Sequence, residues 1–194
     1  HVKRAWERFD LDGPFATAPP LIEGLRAVRS LRQALGSMGL AEDARYNIDD
    51  RLARKEAALA GAVMVAHGLR IEALADDGLV VPSQSLRVSV ILGDRGPSEV
   101  GVRSVALNGF SGRGECSSSV LRSGAVYRCD STVTVPGNAK TTKPYWRRLR
   151  DAARYEFEPD APFGLPVRPT PFRASLTLTV DGTDLTLDRP VQYR

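Results

Sequence analysis

Close to Gly68 the apolar pattern of the chain changes period, from three- and four-residue steps to alternation, which imposes an order of helices first and strands after. From Pro19 onward, Leu21, Leu25, Val28, Leu31 and Leu35 fall on one helical face. Pro19 and Pro20 suit a first helical turn, and Gly39 suits an exit. A second helical run starts near Glu42, carries Ile48, Leu52, Leu59 and Val63 on one face, and stops close to Gly68, a natural left-handed cap. The short link Gly39–Leu40–Ala41 predicts an antiparallel helical hairpin over residues 18–68. Two helices alone bury too little surface, so this hairpin is expected to lean on another body.

Beyond Leu69, Leu86, Val88 and Val90 alternate with Arg87 and Ser89, the mark of a half-buried strand. Further strands are predicted at Glu99–Leu107, Ala125–Val135, Arg154–Phe157, Arg173–Val180 and Asp184–Tyr193. The clearest hairpin joins Leu176–Val180 to Asp184–Leu187 through Asp181-Gly182. Short strands with no helix between them argue for packed antiparallel sheets. The fold class expected is therefore α+β: an N-terminal antiparallel helical hairpin, then an all-β immunoglobulin-like sandwich over residues 69–194. Residues 1–17 mix charge with Trp6, Phe9 and Phe15 around a Gly-Pro break and read as a connector from an upstream domain, its aromatics docked on a neighbour.

With 194 residues the chain needs no metal or disulfide staple to close a core. Its 27 Lys and Arg against 23 Asp and Glu are too mild an excess for a nucleic-acid partner. No stretch approaches the roughly 20 apolar residues of a bilayer span. Residues 1–20 open on charge without the apolar segment of a signal peptide.

Catalytic patterns are missing. Zinc hydrolysis needs about three protein ligands and an open position, whereas the only histidines are His1 and His67. His67 closes a helix, where a histidine suits the dipole. Asp49-Asp50 reads as a solvated helix face and Asp76-Asp77-Gly78 as a turn. A hydrolase built from Asp49, Asp50 or Glu56 with His67 lacks a convergent nucleophile. No G-x-S-x-G elbow occurs, and GFSGRG at 109–114 lacks the Lys-Ser/Thr ending of a phosphate loop. Arg26, Arg29 and Arg32 share another helix face, read as solvated or salt-bridged. Cys116 and Cys129 flank a Ser- and Gly-rich stretch that suits a hairpin turn, and are either one disulfide or two free thiols. The chemically notable patch is Tyr145, Trp146, Arg147 and Arg148 after Pro144. Its rings can stack on sugar C–H faces and its guanidiniums can bind hydroxyls or acids. A packed interdomain contact uses the same residues.

Three segments carry a resemblance: RYNIDDRLARKEAALAGAVMVAHGLRIEALADDGLVVPSQSLRVSV, VPGNAKTTKPYW, and FGLPVRPTPFRASLTLTVDGTDLTLDRPVQYR. Together they resemble the C-terminal half of large bacterial PIG-L-type (LmbE-like) deacetylases, with Val135, Pro136, Ala139, Pro144, Tyr145 and Trp146 matching the family's V-P-x-x-A … P-Y-W stretch. The resemblance runs from about Leu21 to Arg194. It implies a non-catalytic accessory region that packs on a zinc-dependent domain removing acetyl from N-acetylglucosamine-type substrates. The family's His-Pro-Asp-Asp motif and later His-x-x-His element do not occur here, so the resemblance places no catalytic residue and no cofactor in this chain. Zinc is expected only in the catalytic domain of the parent protein, which is the implied partner. Export is also implied, to the periplasm or beyond, in agreement with a Cys116–Cys129 bridge. The alternative from another class is a carbohydrate-binding β-sandwich module using Tyr145 and Trp146.

Overall fold

The computed structural model describes residues 1–112, 114, 116–151, 153–162, 164, 165 and 167–193. Arg113 of the GFSGRG segment, and Phe163, Pro166 and Arg194 of the last resembling segment, lie outside the described residues.

The segment read as a connector contains a short helix, α1 (Val2–Glu7), and a 3-10 turn over Pro14–Thr17. α1 is held at Ala5, which is buried, and by Arg4, which donates to Glu23. Phe15 is half-buried beside Gly68, while Trp6 and Phe9 stand exposed.

Prolines at the first turn open α2 (Ala18–Ala34). It ends at Ala34, followed by a tight turn over Leu35–Ser37 and by Gly39, which takes the left-handed φ of +62° that suits an exit. α3 (Glu42–Ala66) starts with Glu42 and Asp43, whose charge suits a helix N-terminus. It ends where Gly68 adopts φ +75° and the Leu69 N–H reaches back to the Met64 carbonyl at 2.9 Å. That bond satisfies a carbonyl the helix leaves open. Between α2 and α3, Arg29 binds Glu56 and Arg32 binds both Asp49 and Glu56, at 2.6–2.8 Å.

Among the described residues ten strands follow: β1 (Arg70–Ala75), β2 (Ser85–Gly93), β3 (Val100–Asn108), β4 (Ser119–Leu121), β5 (Val126–Thr134), β6 (Trp146–Arg148), β7 (Tyr155–Phe157), β8 (Arg173–Val180), β9 (Thr183–Pro190) and β10 (Gln192–Tyr193). One sheet runs β10-β1-β2-β5, a second β4-β3-β8-β9, and β6 with β7 forms a separate two-stranded ribbon. Every pairing is antiparallel except β10 on β1. The β8–β9 turn is the one its sequence asks for: Asp181 and Gly182 both take positive φ, 45° and 69°, while Val180 pairs with Thr183.

Alternate residues of both four-stranded sheets, among them Val88, Val90, Leu92, Leu176, Leu178 and Leu185, are buried in one cluster. Ile22 and Leu25 of α2 and Ala60 and Val63 of α3 belong to the same cluster. The body on which the helices lean is thus the chain's own β region. Arg26 and Arg29, read as solvated or salt-bridged, reinforce that seat. Arg26 donates to the Thr183 hydroxyl at 2.7 Å and the Asp181 carbonyl at 2.8 Å, and Arg29 to the Asp184 carbonyl at 2.6 Å.

Candidate functional site

Two places in the fold gather side chains with chemical potential, and the first is the β6–β7 ribbon. Its register sets Trp146 opposite Phe157, Arg147 opposite Glu156 and Arg148 opposite Tyr155. Side chains alternate across a strand, so Trp146, Arg148, Tyr155 and Phe157 share one face while Arg147 and Glu156 share the other. On the first face the rings are open to solvent: Trp146 is 44%, Tyr155 53% and Phe157 63% exposed. Trp146 meets Tyr155 edge-on, with centroids 5.2 Å apart and planes at 90°. On the reverse face Arg147 is clamped to Glu156 at 2.6 Å.

Tyr145 differs from its neighbour. It is buried, its hydroxyl donates to the Leu165 carbonyl, and its own carbonyl accepts from the Glu158 N–H at 2.7 Å. Its ring is therefore an anchor for the ribbon and offers no stacking face. An isolated two-stranded ribbon is marginal in water, so this anchor and the ion pairs at the ribbon's base matter. Lys143 binds Glu158 at 3.0 Å, and Arg168 binds both Glu158 and Asp160. The Lys143 ammonium, helped by Arg168, holds the Glu158 carboxyl below the usual range, and Arg168 does the same for Asp160.

The second place lies where α3 ends. His67 is buried against the β2–β3 connection, with Nε2 2.9 Å from the Ser98 hydroxyl and Nδ1 3.3 Å from Asp94 Oδ1. Asp94 Oδ1 also accepts the Gly96 N–H at 2.8 Å. The Nδ1 approach is close without hydrogen-bond alignment, and Nδ1 and Asp94 Oδ2 are buried with no hydrogen-bond partner among the described residues. Ser98 opens onto a concavity of about 790 Å³ that Arg103, Ser119, Thr179 and Gly182 also line. The order Asp–His–Ser is that of a nucleophile relay. Here, however, the imidazole is wedged on the Gly96 backbone, and the array fastens the helix end to the sheet connection.

The other sequence candidates separate. Asp49 and Glu56 are occupied by Arg32, and Asp50 by Arg54 at 2.6 Å. Glu56 and His67 are eleven residues apart along and just past α3, about 16 Å of rise, so they do not converge. The hydrogen bond from Arg32 holds the Asp49 carboxyl low. Burial pushes Glu56 up, but hydrogen bonds from Arg29 and Arg32 together outweigh it and leave its carboxyl low as well. Asp76 and Asp77 cap a turn: Asp76 accepts the Arg87 N–H, and the Leu79 N–H with the Gln84 amide lowers the Asp77 pKa. Among the described residues no group of three or more His, Cys, Asp or Glu side chains is placed to hold a metal ion. No described helix is long and apolar enough to cross a membrane.

Cys116 and Cys129 stand at disulfide distance, with Cα atoms 5.6 Å apart. The stretch between them is not a hairpin turn, because β4 belongs to one four-stranded sheet and β5 to the other. The pair instead ties the approach to one edge strand to the neighbouring edge strand across the core. Missed in the sequence were Tyr155 and Phe157 as ring neighbours of Trp146, and Asp94 and Ser98 as partners of His67.

No protein-family model and no curated protein matches the chain. Among solved structures it is similar to Spo0M, a sporulation control protein from Bacillus subtilis, at 11% identity and a TM-score of 0.38, covering 65% of this chain and 49% of that one. It is also similar to the Pseudomonas fluorescens alkylpurine DNA glycosylase AlkC, solved on DNA containing an abasic site analog, at 11% identity and a TM-score of 0.30, covering 94% of this chain and 48% of that one. The chain spans about half the length of each. Likenesses at these scores bear on no function.

Proposed function

We propose that this chain is a non-catalytic accessory region of a PIG-L-type zinc deacetylase. In that reading α2 and α3 are an antiparallel helical hairpin, the two four-stranded sheets are an immunoglobulin-like sandwich, and the whole supports a catalytic domain that removes acetyl from N-acetylglucosamine-type substrates. The observation that carries it is the unburied apolar surface of the N-terminal segment. Trp6 is 81% and Leu11 84% exposed, with Phe9 open as well, although Ile22, Leu25, Ala60 and Val63 of the helices that follow are buried in the core with the sheets. Apolar side chains grouped this way mark a covered surface in the assembled protein, and the catalytic domain of the parent chain is the cover proposed. The Cys116–Cys129 pair supports placement outside the cytoplasm, where disulfides persist.

The test compares zinc-dependent release of acetate from N-acetylglucosamine conjugates by this chain and by the parent protein extended upstream. Activity confined to the extended protein, and reduced there by Trp6→Ser with Leu11→Ser, is the expected result. Equal activity in the short chain, or none in either, refutes the reading. A second reading, a carbohydrate-binding module, is favoured by the open ring face of Trp146, Tyr155 and Phe157.

A further inference from the structure

We infer that the Trp146–Arg148–Tyr155–Phe157 face of the β6–β7 ribbon is a binding site for an acidic, uronate-bearing polysaccharide; this deepens the carbohydrate-binding reading and rests on it. Two features of the ring geometry suit a pyranose. Trp146 and Tyr155 meet at 90°, which forms a corner where one ring can lie under the sugar's C–H face while the other closes its edge. Phe157, directly opposite Trp146, extends the apolar floor along the ribbon. From behind, buried Tyr145 anchors the ribbon and its ring meets that of Phe157, while the exposed Arg147–Glu156 pair spans the reverse face.

Charge selects the sugar. Most basic side chains around the ribbon are consumed: Arg147 by Glu156, Lys143 by Glu158, Arg168 by Glu158 and Asp160. Arg148, on the ring face, and Arg150, in the turn at the ribbon's tip, have no ion pair or side-chain hydrogen bond among the described residues, and Asp151 is the one acid among the described residues of that turn, whereas Arg154, paired with Leu149, falls on the reverse face. Two free guanidiniums against one carboxylate match a polymer that carries a carboxylate on its sugar rings, since guanidinium forks bind carboxylates in a bidentate way. Single-stranded nucleic acid, which also stacks on rings, brings a phosphate at every unit and is tracked by a continuous basic groove, whereas Glu156, Glu158 and Asp160 stand among the basic groups of this ribbon.

The experiment measures retardation of the 194-residue chain in native gels containing polygalacturonate, neutral dextran or no polymer, and its affinity for a single-stranded oligonucleotide. Retardation by polygalacturonate alone is expected, weakened at least tenfold by Trp146→Ala and by Arg148→Ala with Arg150→Ala, with thermal midpoints unchanged. Retardation by dextran to the same extent, insensitive to the arginine changes, leaves the glycan reading standing and overturns the acidic specificity. No retardation by either polymer overturns both. Tighter binding of the oligonucleotide overturns the choice of glycan.

Discussion

Replacing Gly96 by alanine places a methyl carbon 2.0 Å from two atoms of the His67 ring and 2.6 Å from the His67 carbonyl oxygen. Neither distance is tolerable, and neither neighbour is the loose end of a flexible chain. The ring is buried between Asp94 and Ser98, and the carbonyl belongs to the helix cap. Overpacking a tight site costs about 1–3 kcal/mol, and with backbone involved the upper end applies, about 3 kcal/mol. For a chain of this size each kcal/mol moves the midpoint by roughly 2–4 °C, so thermal unfolding followed by circular dichroism should drop by about 6–12 °C. Adding His67→Ala removes the ring clash but keeps the carbonyl clash, so the double variant should recover about 1–2 kcal/mol relative to the sum of the single changes. Gly61, inside α3 with nothing within 4 Å of an added Cβ, is the control. Alanine there should stabilise by about 0.5–1 kcal/mol. A Gly96→Ala midpoint within 2 °C of the parent, or strict additivity with His67→Ala, would refute the packing described for the helix end.

The pair Cys116–Cys129 closes a loop of sequence separation 13, so Cys116→Ser with Cys129→Ser should cost about 2–3 kcal/mol in denaturant melts, and thiol titration of the unreduced protein should find no free sulfhydryl. Leu25→Ala, at a fully buried position shared by helix and sheets, should cost about 2–5 kcal/mol and lower the urea midpoint with an unchanged slope. Asp49 and Glu56 have carboxyls held below their unfolded values, so the stability they add is present above the unfolded carboxylate pKa of about 4 and is lost as pH falls through the lower folded values. Arg32→Gln should therefore flatten the fall in thermal midpoint between about pH 5 and pH 2; an unchanged acid limb would show that the cluster is not coupled to folding.

The helices and most strands were legible because each rests on a local rule. The change of period at Gly68, the prolines opening α2 and the Asp181-Gly182 turn all act within a few residues. What the sequence hid is set by pairing across distance. Cys116 and Cys129 suggested a hairpin, yet the intervening chain crosses between sheets, a choice made by which edges lie adjacent after both sheets form. The aromatic face required the register that brings Tyr155 and Phe157 beside Trp146, nine and eleven residues on. Tyr145 and Trp146 read as equivalent members of one patch, but Tyr145 is buried by its bond to the distant Leu165 carbonyl and its contact with the Phe157 ring, neither of which the local sequence announces. For His67 one signal was available: a glycine at 96 flanked by Asp94 and Ser98 marks backbone that something must approach closely. It did not say that the visitor was a histidine from the end of a helix.

Arg26 reaches across 157 residues to Thr183, and β1 finds its last partner in β10. In the order of synthesis, α2 is made well before the β8–β9 turn that gives it its polar seat. The hydroxyl and carbonyls that receive its guanidiniums emerge only with the β8–β9 turn. Until then its apolar face is a surface open to chaperones and proteases. Completion of the β8–β9 hairpin thus acts as a checkpoint for the helices, which gain their polar seat only once that hairpin has been delivered.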